Sequence, residues 1–142
     1  MATTTSSTEI IPAEGTVGAT LREQFHFAAG RRVGDVVELS GQTGHSADLS
    51  LPEGVADQVA NAFGNARAVL DAAELGWDSV FAIRTYHVVP AGADSIPGDS
   101  IAAVLQEMSS AMPDQRPIWT AIAVPALAFP GMHIEVEFKA LA

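Results

Sequence analysis

Cysteine is absent from this sequence of 142 residues. Its absence excludes disulfide bonds, thiolate nucleophiles and cysteine-ligated zinc sites together. The four histidines form no HxH or HExxH pair, so the chain matches no common zinc motif. GxGxxG and Walker patterns are also missing, which removes the usual signals for nucleotide binding. We therefore expect neither a bound metal nor a cofactor, and the cytoplasm is the expected compartment.

Basic residues and long apolar runs are scarce as well. The sequence contains seven Lys and Arg residues and seventeen Asp and Glu residues, which gives a formal net charge of −10. Nucleic-acid binding depends on neutralising phosphates, so we do not expect it here. No stretch approaches the ~20 apolar residues of a membrane span. The first residues lack the basic and apolar regions of a secretory signal, and we expect residues 1–18 to form a mobile tail before a single domain over residues 19–142.

Hydrophobic periodicity predicts a mixture of strands and helices. Apolar residues recur at three- and four-residue steps over residues 55–73 and 100–112, which indicates two amphipathic helices. β-branched segments near residues 32–40, 80–89, 118–124 and 133–141 read as strands. The order is ββ, α, β, α, ββ. It predicts an α+β domain in which the two helices cover one face of a sheet.

The last two predicted strands alternate in a way that suggests a functional surface. In the final strand Ile134, Val136 and Phe138 would face the helices, which leaves Glu135 and Glu137 on the other side. In the strand before it we place Trp119, Ala121 and Ala123 on that same side, away from the helices. Small residues, one tryptophan and two carboxylates make a mixed face, which is typical of an oligomer interface or a ligand cleft.

Three stretches of the chain together resemble the RidA/YjgF family. They are VELSGQTG at residues 37–44, the helical segment at residues 58–80, and RPIWTAIAVPALAFPGMHIEVEFKA at residues 116–140. The resemblance spans residues 20–142. It implies a chorismate-mutase-like, ferredoxin-type fold. It also implies a homotrimer whose three sheets form a central barrel, with ligand clefts between the subunits.

The same resemblance implies an activity and exposes a departure from the family pattern. Typical active members hydrolyse 2-enamines and 2-imines to keto acids and ammonia. In them an arginine two residues after a strand-opening proline clamps the substrate carboxylate. Here the proline is Pro117 and the matching residue is Trp119, so the arginine is absent. The tyrosine often found before the first strand is matched by Phe27, which lacks the hydroxyl.

Other positions of the family's cleft are retained. Glu135 matches the cleft glutamate, and a partly desolvated carboxylate there could deprotonate a water that attacks an imine carbon. Alternatively it is an ordinary surface carboxylate. The bend at Ser40 and Gly41 leaves backbone N–H groups free to hold a ligand oxygen. His26, beside Phe27, is our candidate for an additional acid or base, with a surface histidine as the alternative.

Trp119 has two interpretations. It can pack across a subunit interface, or it can line the cleft and stack on a planar, conjugated ligand, with Ala121 leaving room beside it. Arg84 is the arginine within a predicted strand that offers a replacement for the missing cation.

Two functions of different class remain open. The first is cofactor-independent deamination or tautomerisation of an enamine, imine or related conjugated small molecule, for example an aminomuconate-type compound. In this case Glu135 would position water. The second is a non-catalytic trimeric module that binds a small ligand or a protein. Loss of the arginine favours the second function, and retention of Glu135 favours the first.

Overall fold

The computed structural model describes residues 6–142, and its strands form one mixed sheet. The strands are β1 (Ser7–Ile10), β2 (Gly30–Val33), β3 (Val36–Leu39), β4 (Val80–Val88), β5 (Ile118–Val124) and β6 (Ile134–Leu141). Three α-helices accompany them, namely α1 (Val17–Phe25), α2 (Val55–Ala72) and α3 (Gly98–Ala111). A short 3-10 turn, Trp77–Ser79, leads into β4. The α+β class predicted from the sequence is confirmed.

The strand order is β1-β2-β3-β6-β4-β5. Every neighbouring pair is antiparallel except β4 and β5, which run parallel. A parallel pair needs a crossover connection, and α3 supplies it between these two strands. The final strand β6 therefore lies inside the sheet between β3 and β4, whereas β5 forms one edge.

The core lies between the sheet and the helices α2 and α3. The residues of α2 that recur at three- and four-residue steps are almost completely buried, namely Val59, Ala62, Phe63, Ala66, Val69 and Leu70. From β6, the alternating Ile134, Val136 and Phe138 are at most 1% exposed and join the same cluster. Both observations confirm the helix stripe and the strand alternation predicted from the sequence.

Three aromatic rings anchor this core where α2 meets the sheet. The ring of Phe63 contacts Phe138 edge-on, with centroids 5.2 Å apart, and Trp77 lies 5.6 Å from Phe138. Such edge-to-face pairs add about 0.5–1.5 kcal/mol beyond the area they bury. The long helix is thereby fixed over β6, which positions the strand that carries Glu135 and Glu137.

The expected tail at residues 1–18 is wrong from residue 7 onward. Strand β1 pairs with β2 in a register from Ser7 with Val33 to Ile10 with Gly30. Ile10 is 8% exposed and Val17 is 5% exposed, so the segment contributes apolar surface to the core. The helix α1 was not predicted. Residues 1–5 lie outside the described part of the chain, and the tail prediction there stays a prediction.

Among residues 6–142, no helix covers the face of the sheet opposite α2 and α3, which we call the open face. It exposes apolar side chains, among them Ile118 (72% exposed) and Leu141 (54% exposed). Monomers rarely leave such apolar groups uncovered over a whole sheet. Over residues 6–142, no helix has the length and apolar character required to cross a bilayer.

Candidate functional site

The open face brings two carboxylates, a tyrosine and an arginine together. Glu135 of β6 is the cross-strand partner of Tyr86, and Glu137 is the partner of Arg84. On the other side of β4, Arg84 pairs with Thr120 of β5. Side chains of paired residues lie on the same side of a sheet. These residues therefore share the open face, and the tyrosine hydroxyl donates a hydrogen bond to Glu137.

Glu135 lies directly against the bend that follows β3. Beyond Ser40 the chain rejoins the sheet at Gln42, whose N–H donates to the carbonyl of Val136 at 2.7 Å. A Cβ on Gly41 would lie 2.4 Å from Oε1 of Glu135, so any larger residue here would displace this carboxylate. The structure thus brings together Gly41 and Glu135, two residues predicted to share a site. We call this arrangement the Glu135 niche.

Ser40 is tied into the backbone of the neighbouring strand. Its N–H donates to the carbonyl of Ala29 at 2.9 Å, and its hydroxyl donates to the same carbonyl at 3.1 Å. The hydroxyl is therefore committed to holding the bend. The contribution of Ser40 to the niche is the position it gives to Gly41.

The electrostatics of the open face favour a proton-accepting role for Glu135. Burial of the half-buried side chain raises the pKa of Glu135, and the negative charge of Glu137 raises it further. The pKa of Tyr86 is also raised, chiefly by its hydrogen bond to Glu137. A carboxylate whose pKa is shifted toward neutrality becomes a better base for water at working pH.

Arg84 supplies a cation on the same face. Its side chain is exposed and lines a shallow depression of about 160 Å³ with Thr120 and Glu137. Arg84 forms no salt bridge with another residue within 6–142. Diagonal neighbours on adjacent antiparallel strands are separated by about 7–8 Å. Arg84 and Glu135 are diagonal neighbours of this kind, and the hydrogen bond between Tyr86 and Glu137 crosses the diagonal between them.

Trp119 and Ala121 lie on the opposite side of the sheet, which corrects the sequence prediction. In the parallel register, Trp119 pairs with Ile83 and Ala121 pairs with Thr85, and both partners face the helices. The indole N–H of Trp119 donates to Oγ1 of Thr85 at 3.0 Å. The alternation within β5 was correct, but the register with β4 decides which set shares a face with Glu135. Trp119 therefore cannot stack on a ligand held against that carboxylate within the protomer.

Beneath the sheet, Trp119 begins a buried polar chain that sequence reasoning missed. Oγ1 of Thr85 lies 2.7 Å from Nε2 of His87, and Nδ1 of His87 lies 2.6 Å from Oγ of Ser100. Thr85 and His87 are fully buried, and Ser100 is 4% exposed. Burial lowers the pKa of His87, so the imidazole is neutral at pH 7. The sequence offered one signal for it. His87 lies three residues after Arg84 on β4, so the two side chains point to opposite faces of the sheet.

His26 and Phe27 lie in a different place from the Glu135 niche. His26 ends α1 with a left-handed backbone (φ 55°) and is exposed, and Phe27 is 41% exposed. Both line a surface depression of about 420 Å³ together with Glu9, Arg22, Ala28 and Arg31. Within one protomer the structure does not join them to Glu135, so their predicted roles stay predictions. Among residues 6–142, no three His, Asp or Glu side chains converge as a metal site would require.

The sequence profile of the family described as Endoribonuclease L-PSP matches residues 18–142. The chain belongs to this family, the RidA/YjgF family expected from its motifs. The RutC family protein YjgH of Escherichia coli (strain K12) is 32% identical over 117 residues, covering 82% of this chain and 83% of that protein.

Solved structures of family members share the fold. A structure of protein YjgH superposes with a TM-score of 0.79 at 26% identity, covering 94% of this chain and 95% of that chain. The Rid family protein YyfA from Yersinia pestis superposes with a TM-score of 0.80 at 16% identity, covering 96% of this chain and 100% of that chain. Below 25% identity the likeness concerns the fold alone. The arrangement of one mixed sheet and three helices is thus that of the family.

The position of Trp119 allows the effect of replacing it on stability and activity to be predicted. Trp119→Phe keeps most of the apolar volume but removes the N–H that donates to Thr85, so we expect the free energy of unfolding to fall by about 1 kcal/mol. Because the side chain lies on the helix side of the sheet, any activity that depends on the Glu135 niche should keep kcat and KM within about twofold of the wild type. Urea unfolding together with steady-state kinetics checks both. A large loss of activity at unchanged stability would return Trp119 to the site.

Proposed function

We propose that this protein is a cofactor-independent hydrolase of the cytoplasm that converts a small imine or enamine to a carbonyl compound and ammonia. The observation that carries the proposal is Glu135, a half-buried carboxylate of raised pKa held against the glycine backbone of the bend at Gly41. General bases in proteins are commonly tuned in this way by burial and a neighbouring charge.

The proposed chemistry needs only water and one proton acceptor. Glu135 accepts a proton from a water molecule as the oxygen of that water bonds to the carbon of the protonated imine, giving a neutral carbinolamine. Glu135 then gives this proton to the amino group, and it takes the hydroxyl proton as the carbonyl forms and the carbon–nitrogen bond breaks. That proton passes to the released ammonia, so the overall reaction is the protonated imine plus water giving a ketone and ammonium. At the bend that contains Gly41, the N–H groups of Ser40 and Gln42 already donate to Ala29 and Val136, which leaves the N–H of Gly41 to donate to the oxygen of the carbinolamine.

Arg84 is the residue we propose to bind a substrate carboxylate. The guanidinium lies on the same face as Glu135, whereas Trp119 at the family's arginine position lies on the other. A planar guanidinium fork binds a carboxylate through two parallel hydrogen bonds. A large planar substrate was expected because Trp119 could stack on it. Trp119 lies on the other face of the sheet, so this expectation loses its support. The substrate class that fits best is therefore a small imino acid.

We further propose that the protein assembles as the family's chorismate-mutase-like homotrimer, with three sheets forming a central barrel. Support comes from the apolar residues that the open face exposes, since Val33, Ile118 and Leu141 are 42%, 72% and 54% exposed in the protomer. Covering them would remove this surface from water. It would also enclose the Glu135 niche between subunits and strengthen the electrostatic interactions there.

The direct test is release of ammonia by the purified protein from freshly made 2-iminopropionate and from 2-aminomuconate. We expect turnover of 2-iminopropionate. Arg84→Gln should raise KM about 10- to 100-fold, with a smaller change in kcat, because a charge-assisted contact to the carboxylate is lost. Arg67→Gln on the outer surface of α2, where Arg67 pairs with Asp71, is the matched control and should leave KM unchanged.

A second candidate function is a trimeric module that binds a small ligand without chemistry. The observation that favours it is the tryptophan at the position of the family's arginine. Absence of ammonia release from both compounds, in a preparation of trimer mass, would contradict the hydrolase and favour this alternative. A ribonuclease, which the description of the family suggests, is disfavoured by the net charge of −10.

A further inference from the structure

A second cavity lies apart from the open face, between α1 and two loops. It has a volume of about 310 Å³. Its walls are apolar apart from one imidazole and include Leu21, Phe25, His45, Leu49, Leu51 and Phe129. We call it the aromatic pocket. None of these six residues belongs to the Glu135 niche, so the pocket is independent of the function proposed above.

Three rings shape the aromatic pocket. The ring of Phe129 contacts Phe25 edge-on, with centroids 5.9 Å apart and an interplanar angle of 65°. On its other side Phe129 meets the imidazole of His45 at 5.8 Å and 79°. Although they form this contact, Phe25 and Phe129 remain 44% and 45% exposed. Ring edges and faces arranged in this way favour a further aromatic ring, because edge-to-face contacts are the preferred geometry.

His45 lines the pocket and is held in place through one ring nitrogen and its carbonyl. Its Nδ1 lies 2.7 Å from Oγ1 of Thr43, and its carbonyl accepts a hydrogen bond from Nδ2 of Asn65 at 2.9 Å. Nε2 has no hydrogen-bond partner among residues 6–142. Burial lowers the pKa of His45, so the ring is neutral at pH 7. A neutral imidazole nitrogen can exchange one hydrogen bond with a hydroxyl or a carbonyl oxygen.

Leu49 enters the wall from a backbone conformation that leucine rarely adopts. Its φ is 66°, in the left-handed region that favours glycine and asparagine. The turn around it is fixed by Asp48, whose Oδ1 accepts from the N–H of Ser50 at 3.0 Å and from its hydroxyl at 2.6 Å. Strained backbone held by surrounding hydrogen bonds clusters at ligand sites. The strain here keeps an apolar side chain at the pocket wall.

We infer that the aromatic pocket binds a small neutral aromatic molecule that carries one hydroxyl or carbonyl oxygen, with this oxygen bonded to Nε2 of His45. The volume is roughly twice the ~150 Å³ of an apolar cavity that holds benzene, which allows one ring with a substituent. Within the described part of the chain no Lys, Arg, Asp or Glu lines the pocket, so a charged ligand would lose hydration without gaining a partner.

The test compares p-cresol with toluene by two-dimensional NMR titration of the full chain. We expect p-cresol to shift the amide signals of residues 45–51 and 129–131 with a Kd below about 1 mM. Toluene should bind about five- to tenfold more weakly, the value of one hydrogen bond. His45→Leu should bring the two affinities to within about twofold of each other. Leu21→Trp should fill the pocket and abolish both.

Leu105→Trp is the matched control for the filling variant, because it places the same bulk on the exposed face of α3, where Leu105 is 48% exposed. It should bind p-cresol like the wild type. If Leu21→Trp fails to fold, Phe129→Ala replaces it and should weaken binding of both compounds at least fivefold. The inference is overturned if neither compound shifts residues 45–51, if toluene binds as well as p-cresol, or if the filling variant binds normally. These binding results say nothing about ammonia release. The ligand inference and the proposed hydrolase function can therefore each fail without the other.

Discussion

Glu135→Gln is expected to lower kcat for imine hydrolysis by about 10²- to 10⁴-fold, the usual contribution of a positioned general base. Glutamine keeps the shape of the side chain against Gly41 but cannot accept the proton of the attacking water. Because the pKa of Glu135 is raised by burial, the wild-type rate should rise with pH through a midpoint above 4.5, and this limb should be missing from the variant. Single-turnover measurements of ammonia release across pH check both points.

The same substitution is expected to leave the free energy of unfolding unchanged or to increase it. The folded pKa of Glu135 lies above the ordinary 4.5, so ionisation costs folding free energy as pH rises from 4.5 through the folded pKa. Glu135→Gln should therefore be at least as stable as the wild type at pH 7, and the difference should disappear below pH 4.5. Glu23→Gln is the control. Glu23 is exposed on α1, outside the open face, and its replacement should change neither the rate nor its dependence on pH. Normal activity of Glu135→Gln would contradict the mechanism.

Gln58→Met should destabilise the protein more than any other single change considered above, by about 2–4 kcal/mol. The amide of Gln58 is fully buried, and its Nε2 donates to the carbonyls of Pro52 at 2.7 Å and Gly131 at 2.9 Å. Its Oε1 accepts from the N–H of His133 at 2.8 Å. Methionine fills nearly the same volume and leaves these three part-buried backbone groups without their partner. Urea unfolding measures the loss.

Gln106→Met provides the matched control for that experiment. Gln106 lies on the exposed face of α3, and its amide makes one long contact of 3.4 Å with Ser110. Its replacement should change the free energy of unfolding by less than about 0.5 kcal/mol. Equal effects of the two substitutions would show that the hydrogen bonds of Gln58 contribute little.

The helices and strands that bury one regular stripe of apolar residues could be predicted from the sequence. The periodicity predicted α2, β4 and β6 within a few residues, because each has apolar side chains at helix or strand spacing that pack on one core. β1 and α1 were missed for physical reasons. β1 has four residues at the edge of the sheet and is stabilised by pairing with a distant strand. α1 buries only Val17 and Gly18, so its pattern carries little periodic signal.

The candidate site was predicted only in part, since His26, Phe27, Trp119 and Ala121 do not join Glu135 within the protomer. Family motifs identified Gly41 and Glu135, and the structure places these two in contact. The error concerned Trp119. β5 is an edge strand with partly exposed residues on both faces, so hydrophobicity does not reveal which set faces the helices. The register with β4 depends on the length of the crossover through α3, and single-sequence periodicity contains no information about it.

The loop from Gly41 to His45 borders both the Glu135 niche and the aromatic pocket, and α2 holds it at three points. Asn61 donates to the carbonyl of Gly44, and Asn65 donates to those of Thr43 and His45. A side chain at Gly44 would collide with the α2 backbone, since a Cβ there would lie 2.6 Å from the Cα of Gln58. The loop is thus ordered when the protein folds, and a ligand at either site need not arrest its motion. Affinity at both places then depends on contacts alone, with little conformational entropy lost on binding.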